Sequence, residues 1–132
     1  MVNTLQNPCG QTVFVVDDDE DILKMTSFVL EKLGYAVKTE SSADSALGSL
    51  ASGQFKPCLI LLDLMMPKMD GAEFRKKLLG IPGTSEIPIV VLSGDSELSV
   101  KVAGMNVAGF VQKPISVEHL SALAAKYCGA AG

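Results

Sequence analysis

Residues 58 to 71 read Cys58-Leu59-Ile60-Leu61-Leu62-Asp63-Leu64-Met65-Met66-Pro67-Lys68-Met69-Asp70-Gly71. The first five form an unbroken apolar run, bounded by Lys56-Pro57 on one side and a carboxylate on the other, the pattern of a strand buried on both faces. Strands of that kind belong to parallel sheets covered by helices. Open α/β sheets bind their ligands in the crevice outside the carboxyl ends of the strands, so Asp63 is the first candidate for chemistry. Taken alone, a strand-end Asp is more often a cap for the turn into the next helix. The rest of the chain separates the two readings.

Working outward, the same pattern recurs on both sides. Val13 to Val16 is a short apolar run that ends in Asp17-Asp18-Asp19-Glu20-Asp21. A helical stripe follows at Ile22, Met25, Val29, Leu30 and Leu33 and stops at Gly34. Tyr35 to Thr39 predicts a second strand, and Ser42 caps a helix running to Gly53. After the central strand, Asp70-Gly71-Ala72-Glu73 has the form of a capping box and opens a helix that buries Phe74 and Leu78. Ile89 to Leu92 is a fourth strand, ending in Ser93, with a weak helix over Glu97 to Gly104. Gly109 to Val111 is the fifth, followed by Gln112-Lys113-Pro114. Ser116 then caps a last helix burying Val117, Leu120, Leu123 and Tyr127.

Five strands alternating with five helices through short connections specify an α/β domain with a parallel sheet, doubly wound in the flavodoxin-like order 2-1-3-4-5. The expected division is a loose arm over 1–11, the domain over 12–128 and a short tail over 129–132. In that strand order the first and third strands adjoin at the topological switch point. Asp17, Asp18, Asp63, Ser93 and Lys113 then share one end of the sheet.

Composition narrows the function. A chain of 132 residues with 48% apolar content fits one core, and no window is long and apolar enough for a membrane span. A net charge of −4 without a Lys/Arg cluster argues against direct nucleic-acid contact. The first residues lack the basic and apolar regions of a signal peptide, so the expected location is cytoplasmic. Three widely spaced cysteines, Cys9, Cys58 and Cys128, fit neither a disulfide framework nor a zinc pattern and are read as reduced thiols.

Several carboxylates in one crevice repel one another, and a hard divalent cation relieves this. Mg²⁺ suits such an open acidic pocket, since it takes one or two carboxylates, keeps waters and completes its shell with phosphate oxygens. Asp63 then keeps an oxygen free to attack phosphorus, while Lys113 and Ser93 supply a charge and a donor to the transferring oxygens. Asp19, Glu20 and Asp21 are read as first-turn acids that favour the helix dipole. His119 is read as a solvated surface residue.

From about Thr12 to Tyr127 the chain resembles the receiver domains of two-component response regulators. The resemblance rests on Val15-Val16-Asp17-Asp18, on Leu61-Leu62-Asp63-Leu64-Met65-Met66-Pro67 with Met69-Asp70-Gly71, on Ser93 after an apolar strand, and on Lys113-Pro114. It implies that Asp63 accepts a phosphoryl group from the phosphohistidine of a sensor kinase or a histidine phosphotransfer protein. It implies that Asp18 binds Mg²⁺ directly, that Asp17 helps through water, and that the Met65 backbone carbonyl is a further ligand. Ser93 and Phe110 would form the conformational switch, with a cis peptide at Lys113-Pro114. A homodimer on phosphorylation is also within what the family does. Three departures stand out: the stretch from Ser93 to Lys113 is shorter than in relatives, Phe110 replaces a frequent tyrosine, and Met65 and Asp95 occupy the positions two after the acceptor and two after the switch serine, where relatives vary. The competing readings are a phosphohydrolase with an aspartate nucleophile and a degenerate receiver that only binds. The phosphohydrolase usually resembles Asp-x-Asp at one strand end, where here Asp63 is followed by Leu64 and Met65. The intact set of site residues opposes the binding module.

Overall fold

The computed structural model describes residues 12–53, 55–63, 71–81, 83–84, 86–94 and 107–129. Five strands, β1 (Thr12–Val16), β2 (Ala36–Glu40), β3 (Leu59–Asp63), β4 (Ile89–Ser93) and β5 (Gly109–Gln112), form one sheet. All neighbouring pairs are parallel, and the order is β2-β1-β3-β4-β5, as the alternation of elements predicts. Four helices are described, α1 (Glu20–Lys32), α2 (Ala43–Ala51), α3 (Gly71–Leu79) and α4 (Val117–Cys128). The predicted helix over Glu97 to Gly104 lies outside the described residues, as do the arm over 1–11, Asp70 and the last three residues.

The sheet divides the core in two because side chains alternate along each strand. Phe14, Val16, Ile60, Leu62, Ile89 and Val91 pack with residues of α2 and α3. Val13, Val15, Leu59, Leu61, Val90 and Leu92 pack with residues of α1 and α4. Every residue of β3 and of β4 is buried, which explains why both strands read as continuous apolar runs.

Local chemistry sets the helix ends. The Asp19 side chain caps α1 by accepting from the N–H groups of Asp21 and Ile22. At the other end Gly34 has φ of 98°, a left-handed conformation suited to glycine. The N–H of Tyr35 reaches back to the Leu30 carbonyl and that of Gly34 to the Glu31 carbonyl, a Schellman motif whose Tyr35 and Leu30 join the same core cluster. Ser42 and Ser116 cap α2 and α4 by accepting from the N–H groups of Ser45 and His119. The Thr84 hydroxyl donates to the carbonyls of Leu78 and Ile81 and closes the end of α3.

Three expectations need correction. The buried residues of α1 are Leu23, Thr26 and Leu30; Met25 is 60% exposed and Leu33 also reaches solvent. Its apolar residues cover more of the helix than its packed face, so the stripe alone misplaces that face. In α4 the buried positions are Leu120 and Ala124, whereas Val117 in the first turn is exposed because it lies beyond the sheet-facing stripe. Finally, Cys58 and Cys128 are joined as a disulfide, with Cα atoms 5.2 Å apart. Their separation of 70 residues hides this pairing from the sequence, and only the laying of α4 over β3 brings them together.

Candidate functional site

The carboxyl ends of β1 and β3 adjoin, with Val16 paired to Leu62, so the residues that close each strand come together. Carboxylate oxygens of Asp17, Asp18 and Asp63 lie within 4.8 Å of one another. Asp17 and Asp63 are almost wholly buried, at 1% and 3% exposure, while Asp18 faces solvent. The cluster is therefore closed on the protein side and open at Asp18.

Asp17 is held by its own turn. Its Oδ1 accepts from the Asp19 N–H at 2.9 Å, and its backbone N–H donates to the Glu40 carbonyl on β2. Its Oδ2 accepts from Lys113 Nζ, also at 2.9 Å. The same ammonium lies 3.4 Å from Asp63 Oδ1, so Lys113 bridges the ends of β1 and β3. Lys113 is fixed in turn by its backbone N–H, which donates to the Ser93 carbonyl at 2.7 Å. The Lys113-Pro114 bond that follows is cis. Ser93 itself is fully buried at the end of β4.

Burial of the ammonium pushes the Lys113 pKa down, but the Asp17 hydrogen bond and the charges of Asp63 and Asp17 outweigh it. The net effect holds the pKa above the usual lysine value. One ammonium facing three carboxylates leaves the cluster negative. That donor set, all hard oxygen and open on one side, fits a small divalent cation such as Mg²⁺.

Five predicted site residues, Asp17, Asp18, Asp63, Ser93 and Lys113, thus meet at one sheet end. Phe110 stands apart: it is half exposed on the edge strand β5, opposite Val91. Met65, whose carbonyl the resemblance enlists, and Met66 and Met69 lie outside the described residues. The shared sheet end leads one to expect Lys113 near both acids, and the structure makes its contact with Asp17 the shorter one. Two large apolar side chains on α1, Met25 and Phe28, are also more than half exposed.

Residues 13–125 match the family model for the response regulator receiver domain. The chain belongs to that family. Among related proteins, this receiver is 36% identical over 115 residues to the alkaline phosphatase synthesis transcriptional regulatory protein PhoP of Bacillus subtilis, covering 86% of this chain and 46% of that protein. It is 32% identical over 112 residues to the DNA-binding dual master transcriptional regulator RpaA of Synechocystis, covering 83% of this chain and again 46% of the relative. The receiver spans about half the length of the curated relatives it matches. Among solved structures, Vibrio cholerae chemotaxis protein CheY4 superposes with a TM-score of 0.77 at 28% identity, over 88% of this chain and 97% of that one. The receiver domain of sensor histidine kinase PA1611 from Pseudomonas aeruginosa, whose active-site cleft coordinates magnesium, superposes with a TM-score of 0.78 over 92% of this chain and 99% of that one. At 20% identity that second likeness shows the fold alone. Receiver domains bind Mg²⁺, and the acidic cluster of this one is suited to it. Among the described residues no helix is long and apolar enough to cross a membrane.

Proposed function

We propose that this receiver accepts a phosphoryl group on Asp63 from the phosphohistidine of a sensor histidine kinase or a histidine phosphotransfer protein, and that the modification drives a conformational switch. The observation that carries the reading is the meeting of three carboxylates with one bridging ammonium at the switch point of the sheet. A carboxylate oxygen of Asp63 attacks phosphorus, the bond from phosphorus to the histidine nitrogen breaks, and the imidazole leaves with the electron pair. Asp17, Asp18 and Asp63 would hold Mg²⁺, with the Met65 carbonyl as a further ligand. When bound, the metal supplies positive charge to the transferring oxygens.

Lys113 acts on the same oxygens. Its Nζ already lies within ion-pair distance of Asp63, whose side chain is almost wholly buried, which strengthens the attraction. Ser93, at the end of the adjoining strand, offers a hydroxyl to the new phosphoryl group, and its backbone tie to Lys113 couples the two responses. Phe110 on β5 would follow by turning inward from its exposed position. The exposed Met25 and Phe28, on the helix that starts directly after the acidic turn, support contact with a protein donor. A cytoplasmic location accords with a kinase donor, and the chain's net charge of −4 supports a role without direct nucleic-acid contact, whatever the DNA-binding relative does with the rest of its length.

Intact-mass measurement after incubation with Mg²⁺ and acetyl phosphate tests the assignment. One acid-stable, base-labile phosphoryl adduct should form on the wild type and none on Asp63→Asn. Undiminished labelling of the variant would remove Asp63 from this role.

A further inference from the structure

The disulfide lies at the pole of the sheet opposite the acidic cluster. Cys58 immediately precedes β3, the strand that ends in Asp63, and Cys128 is the last residue of α4, the helix that follows Lys113. We propose that Cys58 and Cys128 are a reversible dithiol–disulfide pair, exchanging with small-molecule disulfides of the glutathione class, that clasps the far end of α4 to β3. The exposure of the two cysteines, the groove beside Cys58 and the hydrogen bonds open to the reduced form support this.

Neither cysteine is sealed in the core; both are partly buried beneath the sheet's amino-terminal edge. Cys58 lines a surface groove of about 360 Å³ together with Lys56, Pro57, Glu86, Pro88 and Tyr127, so a small reagent can reach its sulfur. The groove carries both charges, Lys56 as a cation for the carboxylates of such a reagent and Glu86 as an anion for its ammonium. The open form is also accommodated. As a thiol, Cys58 has the Thr12 carbonyl within 3.3 Å as an acceptor, and the Tyr35 hydroxyl donates to the Gly129 carbonyl at 2.6 Å, which still holds the end of α4.

The chemistry balances. The Cys58 thiolate attacks one sulfur of the oxidised reagent, forming a mixed disulfide and expelling one reagent thiolate. The Cys128 thiolate then attacks the Cys58 sulfur, forming the internal bond and expelling the second. The two protons lost by the cysteines pass to the two departing thiolates. Reduction runs the same steps backwards. Reversibility rests on the cytoplasmic location proposed above, since disulfides in reducing compartments are characteristically transient or redox-sensing rather than structural.

The test uses the full chain, equilibrated in glutathione buffers from fully reduced to fully oxidised, quenched with acid, alkylated with iodoacetamide and weighed intact. With three cysteines in the chain, the reduced protein should carry three adducts and the oxidised protein should lose two of them. Peptide mapping should then link Cys58 to Cys128 and leave Cys9 alkylated. Trypsin, acting under native conditions, should cut after Lys126 more slowly in the oxidised form. Three outcomes would overturn the proposal: full alkylation at the oxidising end, a link that involves Cys9, or a Cys58–Cys128 link that native glutathione cannot open, which would make it a fixed brace. Cys58→Ser, checked for folding by circular dichroism, should leave Cys128 without its internal partner, so that intact mass finds it alkylated or, in oxidising buffers, carrying one glutathione. If Cys128 in that variant carries neither group, its protection comes from burial and the clasp is not its cause.

Discussion

Lys113 Nζ lies 2.9 Å from Asp17 and 3.4 Å from Asp63, so one ammonium serves two buried carboxylates that close different strands. Lys113→Met should therefore leave both charges without this partner and destabilise the metal-free protein by about 3 kcal/mol, the cost of breaking a buried pair. Saturating Mg²⁺ should recover more stability in the variant than in the wild type, because the ion takes over the work of the missing charge. Urea unfolding with EDTA and with Mg²⁺ measures both. Since the Lys113 pKa is raised in the folded state, its contribution is complete below the ordinary lysine value of 10.5 and is lost as pH rises through the higher folded value. Wild type and variant in EDTA should thus converge in stability only in strongly alkaline buffer. Convergence near neutral pH would show that the pair contributes little.

Metal affinity should distinguish neighbours in the acidic turn. Asp18 contributes an oxygen to the cluster, whereas Asp19 spends its side chain capping α1. Asp18→Ala should weaken Mg²⁺ binding well beyond Asp19→Ala. Asp19→Ala should instead cost about 1 kcal/mol of stability from the lost cap. A Mg²⁺ titration followed by NMR, with thermal melts on the same samples, reads the two effects separately.

The switch residues give a third expectation. Beryllium fluoride, which mimics an acyl phosphate, should shift amide signals of Ser93 and of residues 107–113 strongly and those of Ser42 to Gly53 little. Ser93→Ala should still accept the phosphoryl group but lose the distal part of that response. If the variant relays the change as well as the parent, the output does not run through β4 and β5.

A fourth concerns α3. Arg75 is 8% exposed, and its Nε and Nη1 have no hydrogen-bond partner among the described residues. A buried guanidinium in that condition is costly, so Arg75→Met should raise stability by about 1 to 2 kcal/mol. A loss of stability on denaturant unfolding would mean that the guanidinium is better served than these contacts indicate.

The strand order and the site were legible because burial on both faces writes itself as continuous apolar runs, and because the polar residues closing those runs had nowhere to go but the same crevice. Strand ends were misread by one residue for a related reason. Ser93 and Gln112 are polar, so hydrophobicity ends the strand before each of them, yet both belong to the ladder and pair with each other. The face of α1 was misjudged because Met25 and Leu33 are apolar without being packed, while Leu23 and Thr26 are the residues buried beside Leu30. Pairing between Cys58 and Cys128, like that between Lys113 and Asp17, depends on elements that only the folded chain brings into contact.

The uneven burial of the strands sets how fast their amides should exchange with solvent. Every residue of β3 and β4 is buried, whereas β5, at the edge, alternates between partly buried and exposed positions. Exchange within Leu59–Asp63 should require global unfolding, and exchange within Gly109–Gln112 only a local opening. The boundary between these regimes falls between Ser93 and Lys113, whose backbones share a hydrogen bond. Asp63 therefore belongs to the slowest-exchanging part of the protein, while the ammonium that faces it hangs from a segment that can open at small cost.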